Sequence, residues 1–340
     1  MTRLAILGAT GAVGSTLLRV LEQRSFPLSD LRLLASPRSA GETRRYAGRE
    51  LTVQSVGPGS FEGIDIAIFS AGATRSREWA PQAIAAGAVV VDNSSAFRMD
   101  EGVPLVVAGV NDHAARAHAG LIANPNCSTM QLMPVLAALH RRSPLEHVTV
   151  ATYQSVSGTG QKAIDALRAE SAAVLAGENP PAGVYAHRIA FNALPFAGAL
   201  SGDDGYTDEE LKLVNESRKI LEQPELRVSA TCVRVPVMNS HSEAVWVRTR
   251  EPIAPDEARS LLAAEDGLTV VDDPAAGAYP MAIDADGRDD VLVGRIRRDL
   301  GDPNALALWI VADNLRKGAA TNAVQLAELL LRDRLLRSAA

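Results

Sequence analysis

Four apolar residues, Leu4-Ala5-Ile6-Leu7, run straight into Gly8-Ala9-Thr10-Gly11-Ala12-Val13-Gly14. This junction constrains the fold more than any other stretch. The short apolar run reads as a buried strand. Val13, Leu17, Leu18 and Leu21 recur at helical spacing and predict a helix over 13–23. A strand that turns on glycines directly into a helix is the opening unit of a doubly wound sheet. The spacing is G-x-x-G-x-x-G rather than the usual G-x-G-x-x-G of dinucleotide sites, so the motif alone also allows a plain tight turn. The physics does not depend on that spacing. Small residues let the backbone approach a pyrophosphate, which rests on the N–H groups at the helix start. Gly8, Thr10, Gly11, Ala12 and Val13 are therefore candidate cofactor contacts.

The alternation continues. A strand over 31–35 ends in Ser36-Pro37-Arg38-Ser39, where an NAD site usually places an acid for the ribose 2′-hydroxyl. Here a guanidinium stands between two hydroxyls, which suits a 2′-phosphate and points to NADP. A third strand, 64–69, ends in the small-residue turn Ser70-Ala71-Gly72, before a helix over 76–86. The next strand, 89–92, leads into Asn93 and on to Arg98. Ligands bind at the C-terminal ends of such parallel strands. Ser36, Arg38, Ser39, Ser70, Ala71, Gly72 and Asn93 thus join the cofactor candidates, and Arg98 is a candidate anion holder.

At 340 residues the chain exceeds the usual limit of one core, so two domains are expected. A net charge of -6 argues against a nucleic-acid partner. No apolar run reaches membrane-spanning length, and the N-terminal stretch has no signal-peptide pattern. Two cysteines do not make a disulfide framework, which suits a reducing cytoplasm.

One of those cysteines sits in Asn124-Pro125-Asn126-Cys127-Ser128-Thr129. A strand-like segment, 105–110, precedes it, and apolar residues at helical spacing follow from Met130 to Leu139. Cys127 is expected where a loop becomes the first turn of a helix. Unpaired N–H groups and the positive dipole end gather there, and both favour the nucleophilic thiolate. A small buried hydrophobe is the plainer fate of a free cysteine.

Beyond it, a strand over 146–153 ends in Gln154-Ser155-Val156-Ser157-Gly158 and opens a helix over 161–175. Residues 177–205, rich in Pro, Gly and Ala, read as a long irregular excursion. Thr207 and Glu210 form a capping box for the next helix. That helix sets Glu209 and Lys212 on one face, as a surface ion pair or a binding pair. A strand over 227–236 carries Cys232 and Arg234, whose apolar flanks imply a partly buried guanidinium needing an anion. His241-Ser242-Glu243 opens the following strand. Further strands over 268–271, 291–298 and 305–313 suggest a mixed sheet, and a last helix over 318–336 returns to the first domain.

A thiolate beside a nicotinamide site suggests acyl chemistry coupled to hydride transfer. A thioester holds an acyl carbon ready for hydride, and N–H groups at the Cys127 helix start could steady the oxyanion. His241 is the residue type to move protons near neutral pH. Arg98 and Lys212 could hold a phosphate, and Arg234 a carboxylate.

The chain resembles the bacterial aspartate-semialdehyde dehydrogenases. The likeness rests on Gly8 to Gly14, Asn124 to Thr129, Tyr153 to Gly158, Cys232 to Val237 with His241-Ser242-Glu243, and Asp313 to Gly318. It implies an α/β protein: an N-terminal Rossmann-type parallel-sheet domain (1–126 plus 315–340) and an α+β catalytic and dimerisation domain with a mixed sheet (127–314). It implies reductive dephosphorylation of aspartyl phosphate to aspartate semialdehyde with NADPH, serving lysine, threonine, methionine and diaminopimelate biosynthesis. Cys127 would be the nucleophile, His241 the acid/base and Gln154 the residue that orients the reacting group. Arg234, Glu209, Arg98, Lys212 and Asn126 would hold substrate, and Ser157, Gly158 and Asn314 would add cofactor contacts. No metal is implied. A homodimer is, with a tetramer as its doubled form.

Two rival readings have distinct signatures. N-acetyl-γ-glutamyl-phosphate reductase shares the chemistry, but its acetylated amine would not seek Glu209. A non-catalytic NADP-binding paralogue would have replaced Cys127 or His241, and both are present. A glyceraldehyde-phosphate-type enzyme would set its cysteine in Cys-Thr-Thr-Asn, unlike Cys127-Ser128-Thr129-Met130.

Overall fold

The protein is described by a computed structural model over residues 2–336. It divides into two compact units, Met1–Asn126 with Ala319–Ala340, and Cys127–Gly318. In the first unit β1 (Thr2–Leu7) leads into α1 (Ala12–Gln23) and β2 (Leu28–Ala35). A hairpin of β3 (Thr43–Tyr46) and β4 (Arg49–Thr52), then edge strand β5 (Gln54–Ser55), precede β6 (Ile66–Phe69). α2 (Ala73–Ala85), β7 (Val89–Asp92) and β8 (Leu121–Ala123) follow. The sheet order is β5-β2-β1-β6-β7-β8, with every pairing parallel. Strand order reverses between β1 and β6, the place where such sheets bind ligands.

Period-two alternation along β1 explains its two buried faces. Leu4 and Ile6 join one apolar cluster with Leu17 and Leu21 of α1, while Ala5 and Leu7 join another with Trp79 of α2. A buried parallel strand therefore reads as an unbroken apolar run.

The second unit begins with α3 (Cys127–Arg142), β9 (Leu145–Gln154) and α4 (Gln161–Leu175). After the irregular excursion come α5 (Asp208–Ile220), β10 (Arg227–Arg234) and β11 (His241–Thr249). α6 (Pro255–Ala263), β12 (Leu268–Val270), α7 (Ala282–Ala285), β13 (Val291–Arg298) and β14 (Ala305–Ala312) complete it. Its sheet runs β10-β9-β11-β14-β13-β12 and is mixed: the two outer pairings are parallel and the three inner ones antiparallel. α3, α5 and α6 pack on one face. The capping box on α5 is complete in both directions, Thr207 to Glu210 and back. The chain then returns to the first unit with α8 (Thr321–Arg332), whose Val324, Leu326, Leu329 and Leu330 join the Leu4–Ile6 cluster.

The structure corrects three local expectations. Residues 105–110 form no strand beyond a single bridge from Leu105 to Ala123; the strand before Cys127 is β8. The Asn111 carboxamide takes the Val107 N–H at 2.9 Å and donates to the Leu105 carbonyl at 3.0 Å, replacing a neighbouring strand. The last helix is shorter than 318–336, because a π-helical turn, Arg316–Ala320, precedes it and Arg334 adopts a left-handed φ of 55° after it. The return to the first unit falls between Gly318 and Ala319 rather than before Leu315. The β3–β4 hairpin went unread in the sequence because its alternation is almost wholly polar.

Candidate active site

In the first unit the glycine turn is built for close approach. Gly8 has φ +96°, and a Cβ there would stand 2.3 Å from the Ser70 carbonyl oxygen. A Cβ at Gly14 would stand 2.2 Å from the Gly8 carbonyl oxygen. Glycine at these two positions thus lets the turn after β1 lie against the turn after β6, with α1 starting behind it. Gly11 precedes α1, no side chain caps the helix, and its first turn holds no acid. Ala12 and Val13 are the first helical residues. Free N–H groups at an uncapped helix start are the donor set a pyrophosphate needs, so these residues fit a dinucleotide. Ser36 precedes a short 3-10 turn, Pro37–Ser39, that exposes Arg38. The Thr10 hydroxyl reaches Ser39 Oγ at 3.4 Å, which brings the two predicted segments together. Gly72, at φ +87°, precedes α2, and Ala71 lies beside it.

At the same sheet edge Arg98 is buried. Its Nε donates to the Asn124 carbonyl at 2.9 Å and Nη2 to the Asn93 carbonyl at 2.9 Å. The Asp92 carboxyl accepts from the Ser76 and Ser94 hydroxyls at 2.6 and 2.7 Å, and burial pushes its pKa up. These bonds tie the loop after β7 to Asn124-Pro125-Asn126, the buried segment entering α3.

In the second unit Cys127 is the first residue of α3 and is half-buried, whereas Cys232 is buried; neither is in a disulfide. The first turn of α3 holds no acid. Gly318 crowds Cys127: a Cβ on it would lie 2.9 Å from the cysteine Cβ. Gln154 ends β9 fully buried, and its Nε2 donates to Ser128 Oγ and to Glu209 Oε1, each at 3.0 Å. One amide thus joins the residue after the cysteine to the acid of α5. Lys212 Nζ donates to Glu209 Oε2 at 3.1 Å and to Asp208 Oδ2 at 2.6 Å. With the Lys212 side chain 24% exposed and Glu209 12%, this is not a solvated surface pair.

Parallel pairing sets Arg234 beside Gln154. Arg234 Nη1 donates to the Ser155 carbonyl at 2.8 Å, and its buried Nε–H has no acceptor among the described residues. His241 begins β11 and is fully buried. Its Nδ1 accepts the Ser155 backbone N–H at 3.0 Å, while Nε2 meets no partner among the described residues. Burial and then the Arg234 charge pull its pKa down to about 3, so the ring is neutral at neutral pH. A Cβ on Gly158 would lie 3.1 Å from His241 Nε2 and 3.2 Å from Arg234 Nη1, so glycine keeps the space before both open. Ser157 and Asn314 are buried and bonded to each other, Nδ2 to Oγ at 2.9 Å.

The predicted residues His241, Gln154, Arg234, Glu209, Lys212, Ser157 and Asn314 of the second unit are therefore each placed by a specific hydrogen bond or ion pair. Sequence reasoning missed Gly318, whose contact with Cys127 spans most of the unit, and Ser155, which holds His241. It also missed Glu243. That carboxyl is fully buried beside Gln131 of α3, and desolvation holds its pKa well above the usual carboxylate range. The signal for Glu243 was present: a charge inside a strand otherwise made to be buried.

Residues 3–118 match the family described as semialdehyde dehydrogenase, NAD binding domain, and residues 136–317 the semialdehyde dehydrogenase dimerisation domain. Over 338 residues the chain is 50% identical to aspartate-semialdehyde dehydrogenase of Aquifex aeolicus, covering 98% of this chain and 99% of that one. It is 51% identical over 336 residues to the Legionella pneumophila enzyme of the same name, covering 98% and 96%. The crystal structure of Vibrio cholerae aspartate semialdehyde dehydrogenase II complexed with ASA superposes with a TM-score of 0.95 at 46% identity, over 98% of this chain and 99% of that one. A nicotinamide-binding domain, a dimerisation domain and near-complete coverage at this identity leave one conclusion: the chain belongs to the aspartate-semialdehyde dehydrogenase family.

Proposed function

We propose that the protein interconverts aspartyl phosphate and aspartate semialdehyde through a thioester on Cys127, with NADP as cofactor. The observation that carries the reading is the Gln154 amide. It bonds both Ser128, next to the cysteine, and Glu209, the acid suited to a free α-amino group. Arg234, with its unpartnered buried N–H, would take the α-carboxylate. The Cys127 sulfur attacks the acyl-phosphate carbon; the C–O bond breaks and phosphate leaves, Arg98 and Lys212 each being a cation of the kind suited to hold it. NADPH, when bound, supplies the hydride that reduces the acyl carbon. The tetrahedral adduct then expels the Cys127 thiolate as the C–S bond breaks, releasing the aldehyde. N–H groups in the first turn of α3 are suited to steady its oxyanion.

Two finer points belong to the same reading. Arg38, with Ser36 and Ser39, would hold the 2′-phosphate of NADP; Arg38→Glu is expected to lower kcat/KM for NADP by about tenfold or more while sparing NAD. The outer face of the second sheet exposes Trp246 and Tyr153, whose ring packs tilted against Trp309 at 5.2 Å between centroids, and suits a homodimer that could double to a tetramer. The free thiols suit a cytoplasmic setting.

The test follows NADPH absorbance with aspartate semialdehyde, phosphate and NADP, and with N-acetylglutamate semialdehyde in parallel. Signal with the first substrate only, and only with phosphate, supports the proposal. Signal with the acetylated substrate alone overturns it.

A further inference from the structure

His241 is the residue expected to move protons, yet its surroundings fix which nitrogen can do so. A backbone N–H can only donate. The Ser155 N–H points at Nδ1 from 3.0 Å, so Nδ1 must present its lone pair. A neutral imidazole then carries its one proton on Nε2. The Ser155 hydroxyl lies 3.0 Å from the same Nδ1, but its one proton goes to Asn314 Oδ1, so the backbone N–H is the donor that fixes the ring.

What holds Ser155 there is Asn314. Its Oδ1 accepts the backbone N–H of Ser240, the residue before His241, at 2.9 Å. It also lies 3.0 Å from both Ser155 Oγ and Ser157 Oγ. One carboxamide on the segment after β14 thus grips the loop after β9 and the entry to β11, on the two sides of the imidazole. Asn314 is 2% exposed, so water does not compete for these bonds. On the opposite edge of the ring, Nε2 has no partner among the described residues and faces the space that Gly158 keeps open beside Arg234 Nη1. The charged groups that act on the ring are Arg234 of β10 and Glu209 of α5, of opposite sign; Glu243 lies two residues along β11.

We propose that Ser155 and Asn314 are positioning residues that lock His241 as the neutral Nε2–H tautomer, so that it meets the substrate as a hydrogen-bond donor rather than as a base. The donor's target is the acyl carbonyl oxygen as negative charge develops on it, a role that rests on the function proposed above. In this arrangement His241 does not remove the Cys127 proton, and thiolate character at Cys127 falls to the start of α3.

Nitrogen-15 NMR of histidine-labelled protein tests the lock, with His241→Asn used to assign the signal among six histidines. The expected spectrum has an unprotonated Nδ1 and a protonated Nε2 from pH 5.5 to 8, without titration. A protonated Nδ1, or titration near the ordinary histidine value, overturns the proposal. Asn314→Ala should lower kcat by roughly ten- to a hundredfold, part of what a wrong tautomer costs a hydrolytic triad, with KM for phosphate and semialdehyde changed by less than about threefold. In the same variant the His241 signal should begin to titrate. Ser155→Thr, which keeps both donors, should stay within about threefold of the native rate, while Ser155→Ala should fall below it. An unchanged kcat and spectrum in Asn314→Ala would also overturn the proposal. The spectrum reads the tautomer whether or not the enzyme turns over, so failure of the assay overturns the function reading alone.

Discussion

Two neighbouring rows of side chains cross the same face of the second sheet. The outer row is Arg234 and Gln154, with His241 at the mouth of the next strand; the inner row, one pleat deeper, is Cys232, Thr152 and Glu243. Both rows are polar and buried. In the outer row the protein bonds one edge of each group and leaves the other free: His241 is held at Nδ1 and open at Nε2, and Arg234 is held at Nη1 and open at Nε. The inner row lies under helices, Glu243 beside Gln131 of α3 and Cys232 near Glu209 and Glu210 of α5. Its thiol and carboxyl are both pushed toward their protonated, uncharged forms by burial. A two-residue step along a strand therefore separates groups poised to meet a ligand from groups silenced by the core.

The two cysteines make the sharpest test. Cys127→Ser is expected to cut turnover by about 10⁴-fold or more, since a hydroxyl is a far weaker nucleophile without a base, while NADP affinity stays within about twofold. Native activity in that variant would break the comparison outright. Gly318→Ala comes next. Its methyl would press on Cys127 at 2.9 Å, and a displacement of that size is expected to lower kcat by about ten- to a hundredfold at nearly constant KM for NADP.

The rows also predict opposite responses to pH. The His241 pKa is about 3 in the folded chain against 6.5 when free, so stability is lost as pH falls from about 6.5 toward 3. The Glu243 pKa lies above its free value of 4.5, so the folded state holds the extra proton and stability declines as pH rises above 4.5. Glu243→Gln removes that decline: its melting temperature should exceed the native one at pH 8 and match it near pH 4. Equal melting temperatures at both would show Glu243 to be ionised and paired. The smallest effect on catalysis belongs to Cys232→Ala, expected to hold kcat within about threefold while costing about 1–2 kcal/mol for the lost packing, read by denaturant unfolding.

Much of this was legible in the chain. Leu4 to Leu7 reads as a buried strand because a parallel sheet covered on both faces tolerates no polar residue there. The helix start at Cys127 and the capping box at Thr207 are local signals, written within one or two turns. Residues 105–110 misled because an apolar run does not say what satisfies its backbone, and Asn111 does so in place of a strand.

By itself, then, the sequence determined the alternation of strands and helices, the glycine turn that fits a dinucleotide, and the residue types its chemistry requires. These depend on local periodicity and on side chains no other residue can replace. The tertiary structure alone decided which nitrogen of His241 is open, why the Glu243 pKa is raised, and why a side chain at position 318 would press on Cys127. Each depends on atoms brought together from separate strands, where burial and a single hydrogen bond set the charge state.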